Sequence, residues 1–308
     1  MTPSARLSAA IEVLADIDTW RRPATDVLRD WGLSHRFAGS GDRAAIGGLV
    51  YDGLRRKASS TFLMGEATPR ANMLGTLKLE RGLDLAEIAR LCDGSRFAPE
   101  PLSESERKAL SRDSLENAPA NVIGDYPEWL DSLLTKVFGV ERTEEGAALA
   151  HRAPLDLRVN LLKSDPDAAA GALSHLKPAP TSWSPAGLRI AIAADSKSPP
   201  IHAEAAFLKG LVEIQDEGSQ VATLLAGAKP GEQVVDLCAG GGGKTLALAA
   251  LMKNRGQIYA TDTDLRRLAP IHQRLERAGV RNAQVRAPRG DADPLADLTG
   301  RINLVLID

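Results

Sequence analysis

Four consecutive glycines, Gly240, Gly241, Gly242 and Gly243, separate an apolar run that ends in an acid (Val234, Val235, Asp236) from a helix-forming stretch beginning at Lys244 and Thr245. Without Cβ atoms these positions permit positive φ and let a ligand approach the main chain. The helix behind them opens with N–H donors that have no partner inside it. A strand, a glycine turn and a helix in that order belong to an α/β sheet with a ligand at its carboxyl edge. Spacing then separates the candidate ligands. A phosphate-cradling loop needs a glycine four residues before Gly-Lys-Thr, and Cys238 stands there instead. A dinucleotide fingerprint started at Gly240 or Gly241 puts its last position on Thr245 or Leu246, neither of them glycine.

The surrounding segments predict a βαβ rhythm from Leu211 onward: strand LVEIQ, helix Glu217–Ala226, strand QVVDLCA, helix Thr245–Met252 and strand QIYATD. Helix Leu265–Ala278, a short strand at Ala283–Arg286 and strand INLVLID complete it. This is a doubly wound parallel sheet of the Rossmann-like kind. The remaining reading of the glycine turn is that of a class I methyltransferase, holding the amino-acid part of S-adenosylmethionine. Asp262 ends the second strand, about twenty residues after the turn, where an acid takes the ribose hydroxyls. Asp264, two residues on, reads as the N-cap of the next helix.

Upstream the texture differs. Helical spacing at Leu7, Ile11, Leu14 and Ile17, then over Ala44–Leu54, Leu74–Ile88, Ser103–Leu110 and Trp129–Phe138, predicts an all-helical region with Pro-containing loops. Short strands at Asp156–Asn160 and Gly187–Ala193 follow the helix Glu144–Ala150 and indicate a small α/β subdomain. The expected domains are residues 1–118, 119–210 and 211–308. With 308 residues, 44% of them hydrophobic, the chain can bury more than one core. Its net charge of -2 argues against bulk coating of nucleic acid, although Arg266, Arg267, Arg274, Arg277, Arg281, Arg286 and Arg289 crowd one segment that reads as a solvated helix face. Cys92 and Cys238 lack zinc or disulfide spacing, so no metal is expected, and Cys92 reads as a small buried hydrophobe. No run is long and apolar enough for a membrane span and no secretory signal is apparent, so the expectation is a cytoplasmic monomer.

Three motifs together resemble the Nol/Nop/Sun family of RNA cytosine-5 methyltransferases, its bacterial small-subunit ribosomal RNA type in particular. DLCAGGGGKT is similar to the family's DLCAAPGGKT, with Gly240 and Gly241 in place of Ala and Pro; QDEGSQ (Gln215 to Gln220) is similar to QDxxSQ, and LRVN (Leu157 to Asn160) to its Arg-x-Asn signature. The helical N-terminus, through DRAAIGGLVYDGLRR, more loosely resembles an abbreviated NusB-like RNA-binding domain. The resemblance implies methylation of cytosine C5 in RNA, ribosomal RNA above all, with S-adenosyl-L-methionine as cofactor. It implies that Cys238, Ala239, Gly240, Gly241, Gly242, Gly243 and Lys244 wrap the methionine part, Asp262 the ribose, and Asp308 the far wall, with Arg158 and Asn160 near the RNA. The family's Gly-Asp after the third strand is displaced: Arg286, Ala287 and Pro288 stand there, and Gly290 and Asp291 follow. The two cysteines that activate the base follow the position of Asp308, so the 308 residues are expected to be a C-terminally truncated, inactive fragment, with Cys238 a wall beneath the cofactor. Two other readings stand beside this one: a noncatalytic RNA-binding or assembly factor, and a class I methyltransferase for another substrate.

Overall fold

The computed structural model describes residues 1–112, 115–192, 198–288 and 293–308. The chain divides into two compact units. The first comprises Met1–Ala153 and the second Pro154–Ile192 with Ser198–Asp308.

The first unit is helical: α1 (Pro3–Trp20), α2 (Ala24–Ser34), α3 (Ser40–Arg55), α4 (Lys57–Met64), α5 (Pro69–Leu79), α6 (Leu85–Leu91), α7 (Glu104–Leu110), α8 (Ala120–Ile123), α9 (Asp131–Phe138) and α10 (Arg142–Ala150). Local chemistry sets the ends. Thr2 and Thr68 accept from backbone N–H groups, each with a proline in the first turn, and Asp84 with Glu87 and Ser103 with Glu106 form reciprocal capping boxes. The single helix expected over Leu74–Ile88 is therefore two, because Gly82 at φ 65° breaks it and Asp84 restarts it. Leu7, Val13, Leu14, Ile46, Val50, Met73 and Leu74 form the core, each contributing about 1.5–3 kcal/mol of burial. Cys92 lies in this core as expected, and burial pushes its thiol pKa up.

The division at 153/154 differs from the expected boundaries at 118 and 210. Helices beyond residue 118 belong with the first unit because Asp125 is buried against α4, accepting from Ser59 N–H at 2.8 Å and Ser59 Oγ at 2.8 Å and pairing with Arg56 at 3.1 Å. The small sheet joins the second unit for reasons given below.

The second unit contains β1 (Leu155–Val159), α11 (Pro166–Ala172), β2 (Ala179–Pro180), β3 (Gly187–Ile190), α12 (Ala205–Leu208), β4 (Val212–Ile214), α13 (Glu217–Ala226), β5 (Gln233–Asp236), α14 (Gly243–Leu251), β6 (Gln257–Ala260), α15 (Leu265–Leu268), α16 (Ile271–Ala278), β7 (Ala283–Val285) and β8 (Leu304–Leu306). The helix expected over Leu265–Ala278 is interrupted at Pro270, whose ring and missing N–H are incompatible with a helix interior.

Two sheets result. One is antiparallel, in the order β2-β3-β1-β4; the other is parallel, in the order β7-β6-β5-β8. The parallel order is that of a doubly wound fold about its first strand. Central β5 reads as consecutive buried residues, Val234, Val235 and Asp236, since helices cover both faces of such a sheet. In the antiparallel sheet, alternation puts Leu157, Val159, Leu188, Ile190 and Val212 into a core with Ala169 and Phe207. Its other face carries Asp156, Arg158, Arg189 and Glu213, with Arg158 directly opposite Glu213 and Asp156 opposite Arg189. That polar face joins the small sheet to the parallel one.

Candidate cofactor site

The site grows from the carboxyl end of β5, the strand from which the parallel sheet runs both ways. Asp236 ends that strand and is buried, accepting from Thr245 Oγ1 at 2.6 Å, so strand end and helix start are tied across the turn. Burial raises the Asp236 pKa, against the Thr245 hydroxyl and the Lys244 charge. Gly242 N–H closes the turn on Ala239 O at 2.8 Å. Its φ of 82° demands glycine, and a Cβ there would stand 2.5 Å from Ile271 Cγ1.

Asp262 follows β6 and meets the turn. It is buried, and its two oxygens are each held by backbone: Oδ2 by Gly240 N–H at 2.9 Å and Oδ1 by Asp264 N–H at 2.8 Å. Those amides, the Asp264 N–H first, with the Arg267 charge, keep its pKa below the usual carboxylate range despite burial. The carboxylate is ionised and oriented, with lone pairs left for a ligand's hydroxyls. Asp264 is the N-cap of α15, accepting from Arg266 N–H at 2.8 Å.

Asp308 lies across the turn, its side chain 58% exposed and ion-paired with Lys244, whose ammonium also reaches Ser219 Oγ at 3.4 Å. Cys238 is exposed at the lip of the turn rather than packed beneath it. Arg286, at the end of β7, lies over the Tyr259 ring at 4.8 Å and pairs with Asp297; Arg289, Gly290 and Asp291 lie outside the described residues.

Both residues expected near the RNA lie inside the protein. Asn160 is buried, donating through Nδ2 to Gly210 O at 2.9 Å and Ala278 O at 2.8 Å, while its oxygen accepts from Leu162 N–H at 3.1 Å. All of its hydrogens are spent inside the protein, fastening the small sheet to α16. Arg158 is buried as well. Its Nε donates to Gln215 Oε1 at 2.6 Å, its Nη2 lies 3.5 Å from Gly243 O, and burial first, then the Arg274 charge, brings its pKa down to about 10. The expected solvated arginine face is corrected in part: Arg274 and Arg277 are both ion-paired to buried Glu213.

Sequence reasoning missed the meaning of QDEGSQ. Gln215 receives Arg158; Asp216 caps α13; Glu217 Oε1 accepts from Trp183 N–H and from Ser184 N–H at 3.0 Å; Ser219 meets Lys244. Gln215, through Arg158, and Ser219, through Lys244, reach the turn, while Glu217 and Gln220 tie α13 to the small sheet. The one available signal was the concentration of polar residues in a segment otherwise read as the entrance to a buried sheet. Among the described residues, no cluster of three or more His, Cys, Asp and Glu could hold a metal ion, and no helix is long and apolar enough to cross a membrane.

A Rossmann-like sheet, with a glycine turn after its first strand and a backbone-held acid after its second, defines the class I methyltransferase fold. Residues 222–308 match the family model described as 16S rRNA methyltransferase RsmB/F. A probable ribosomal RNA small subunit methyltransferase B of Synechocystis sp. is 30% identical over 86% of this chain and 66% of its own length. The 25S rRNA (cytosine-C(5))-methyltransferase nop2 of Schizosaccharomyces pombe is 29% identical over 73% of this chain and 36% of its own. The crystal structure of PH0851 superposes with a TM-score of 0.62 at 22% identity, covering 92% of this chain and 69% of that one, and so shares the fold. These matches are to the family that the motifs of this chain resemble, the Nol/Nop/Sun methyltransferases. It spans less than two thirds of the length of these two relatives.

Proposed function

We propose that the protein carrying this chain transfers a methyl group from S-adenosylmethionine to C5 of a cytosine in ribosomal RNA. The observation that carries the reading is the carboxylate of Asp262, fixed by Gly240 N–H and Asp264 N–H at the mouth of the glycine turn. The residues present suit the cofactor. Asp262 takes the ribose hydroxyls. The backbone from Cys238 to Lys244 wraps the methionine part, whose carboxylate is favoured by the N-terminus of α14. Lys244 holds the Asp308 carboxylate at the edge of the site. When bound, the cofactor supplies an electrophilic methyl group on a sulfonium.

The substrate rests on the family and on the names of the relatives, which are ribosomal RNA methyltransferases. In this reading Arg158 and Asn160 hold the turn's support in place and are not RNA ligands. The test is transfer of labelled methyl to ribosomal RNA by the whole protein, followed by nucleoside analysis. Label in 5-methylcytosine is expected. Label on another base would make this a methyltransferase of different specificity, and RNA binding with no response to S-adenosylhomocysteine would make it an assembly factor.

A further inference from the structure

Gly240 and Gly242 have φ of 49° and 82°, values that favour glycine, but the φ of Gly241 lies outside the left-handed region. Its backbone does not require glycine. Its surroundings favour it: a Cβ on Gly241 would stand 2.8 Å from Arg274 Nη1, which donates to Gly241 O at 2.7 Å, so the guanidinium would have to shift. The space a side chain would take is filled by a guanidinium from α16.

That guanidinium is itself held. Arg274 Nη2 donates to Glu213 Oε2 at 3.0 Å, and Glu213, buried on β4, gives its other oxygen to Arg277, whose guanidinium lies 3.9 Å from the Phe207 ring centroid. Glu213 also stands opposite Arg158, which reaches toward Gly243 O. We infer that Arg274 is a positioning residue for the cofactor turn, a clasp that orders a run of glycines before any ligand arrives and that a side chain at position 241 would displace. The inference rests on the methyltransferase reading of the turn. A glycine run loses more conformational freedom on ordering than any other sequence, and a ligand that must order its own site binds more weakly. The clasp removes that cost in advance.

Two measurements on the whole chain test it: calorimetric titration with S-adenosylhomocysteine, and hydrogen exchange at the amides of residues 240–244 without ligand. Arg274→Ala should weaken binding about tenfold and speed exchange in the turn, with Arg274→Lys intermediate because an ammonium lacks the two-armed fork. Gly241→Ala should weaken binding in the parent, where it meets the guanidinium. In the Arg274→Ala background it should recover part of the loss, since alanine narrows the freedom of the chain. A merely structural arginine would not reverse the sign of the Gly241 effect. If Arg274→Ala does not fold, Arg274→Lys and Gly241→Ala decide on the same two readouts. Parent affinity and exchange retained in the arginine variants, or an equal Gly241→Ala effect in both backgrounds, overturns the inference alone. A parent that ignores S-adenosylhomocysteine overturns the methyltransferase reading, and this inference with it.

Discussion

The two sheets of the second unit bury charge in different ways. In the parallel sheet Asp236 ends its strand, Asp262 follows the next one, and both meet backbone amides or a hydroxyl and lie at the glycine turn. In the antiparallel sheet Asp156, Arg158 and Glu213 sit within their strands, buried and paired with other side chains. The first arrangement leaves lone pairs for a ligand, and the second leaves almost none. On the proposed reading, strand-end charge serves binding and mid-strand charge braces the support behind it.

If that distinction holds, removing a mid-strand charge should damage folding more than binding. Asp156 accepts from Arg189 Nε at 2.7 Å and Nη2 at 2.8 Å, and from Glu217 N–H at 3.2 Å. Asp156→Ala should cost about 3 kcal/mol in denaturant unfolding, the low end for a broken buried pair because Arg189 is partly exposed. A loss near zero would mean the polar face is not a brace.

Asn160→Ala comes next, at about 2 kcal/mol, because it strands the carbonyls of Gly210 and Ala278 away from their donor. Affinity for RNA should be unchanged once the variant is compared at equal folded fraction. An Asn160 variant of parental stability with weakened RNA binding would return the residue to the RNA surface.

Smaller again is Thr245→Val, about 1 kcal/mol, since it takes a hydroxyl donor from buried Asp236. Its pH signature sharpens the comparison. The folded-state pKa of Asp236 is raised, so its penalty is absent below the unfolded value of about 3.9 and grows as pH rises through the folded one. Thr245→Val should move the upper end of that window to higher pH, and Asp236→Asn should abolish it. Asp262 has the opposite sign: its folded pKa is depressed, so its contribution is present above about 3.9 and lost as pH falls through the folded value. Unfolding titrations of Thr245→Val, Asp236→Asn and Asp262→Asn between about pH 2 and 7 check both signs.

Much of this was legible in the sequence, and unevenly. The parallel sheet announces itself through apolar runs that alternate with helices at fixed intervals, so Asp236, the glycine turn and Asp262 follow from counting along the chain. The brace does not. Arg158 meets Gln215 across 57 positions, and Asn160 meets Ala278 across 118, and no local period encodes such pairings. DLRVN alternates polar and apolar residues as a half-buried strand does, but a polar face reads the same whether it meets water, RNA or a second sheet. Gly82 and Pro270 broke two expected helices because single residues override an otherwise continuous apolar period.

The central claim is that Asp262, held by two backbone amides, marks an S-adenosylmethionine site. Calorimetry of the chain with S-adenosylhomocysteine, ATP and NAD, repeated on Asp262→Ala, tests it directly. The account predicts binding of S-adenosylhomocysteine alone, weakened about tenfold in the variant through loss of hydrogen bonds to an ionised acceptor. Binding of ATP or NAD with no heat from S-adenosylhomocysteine, or equal affinity in parent and variant, would contradict it.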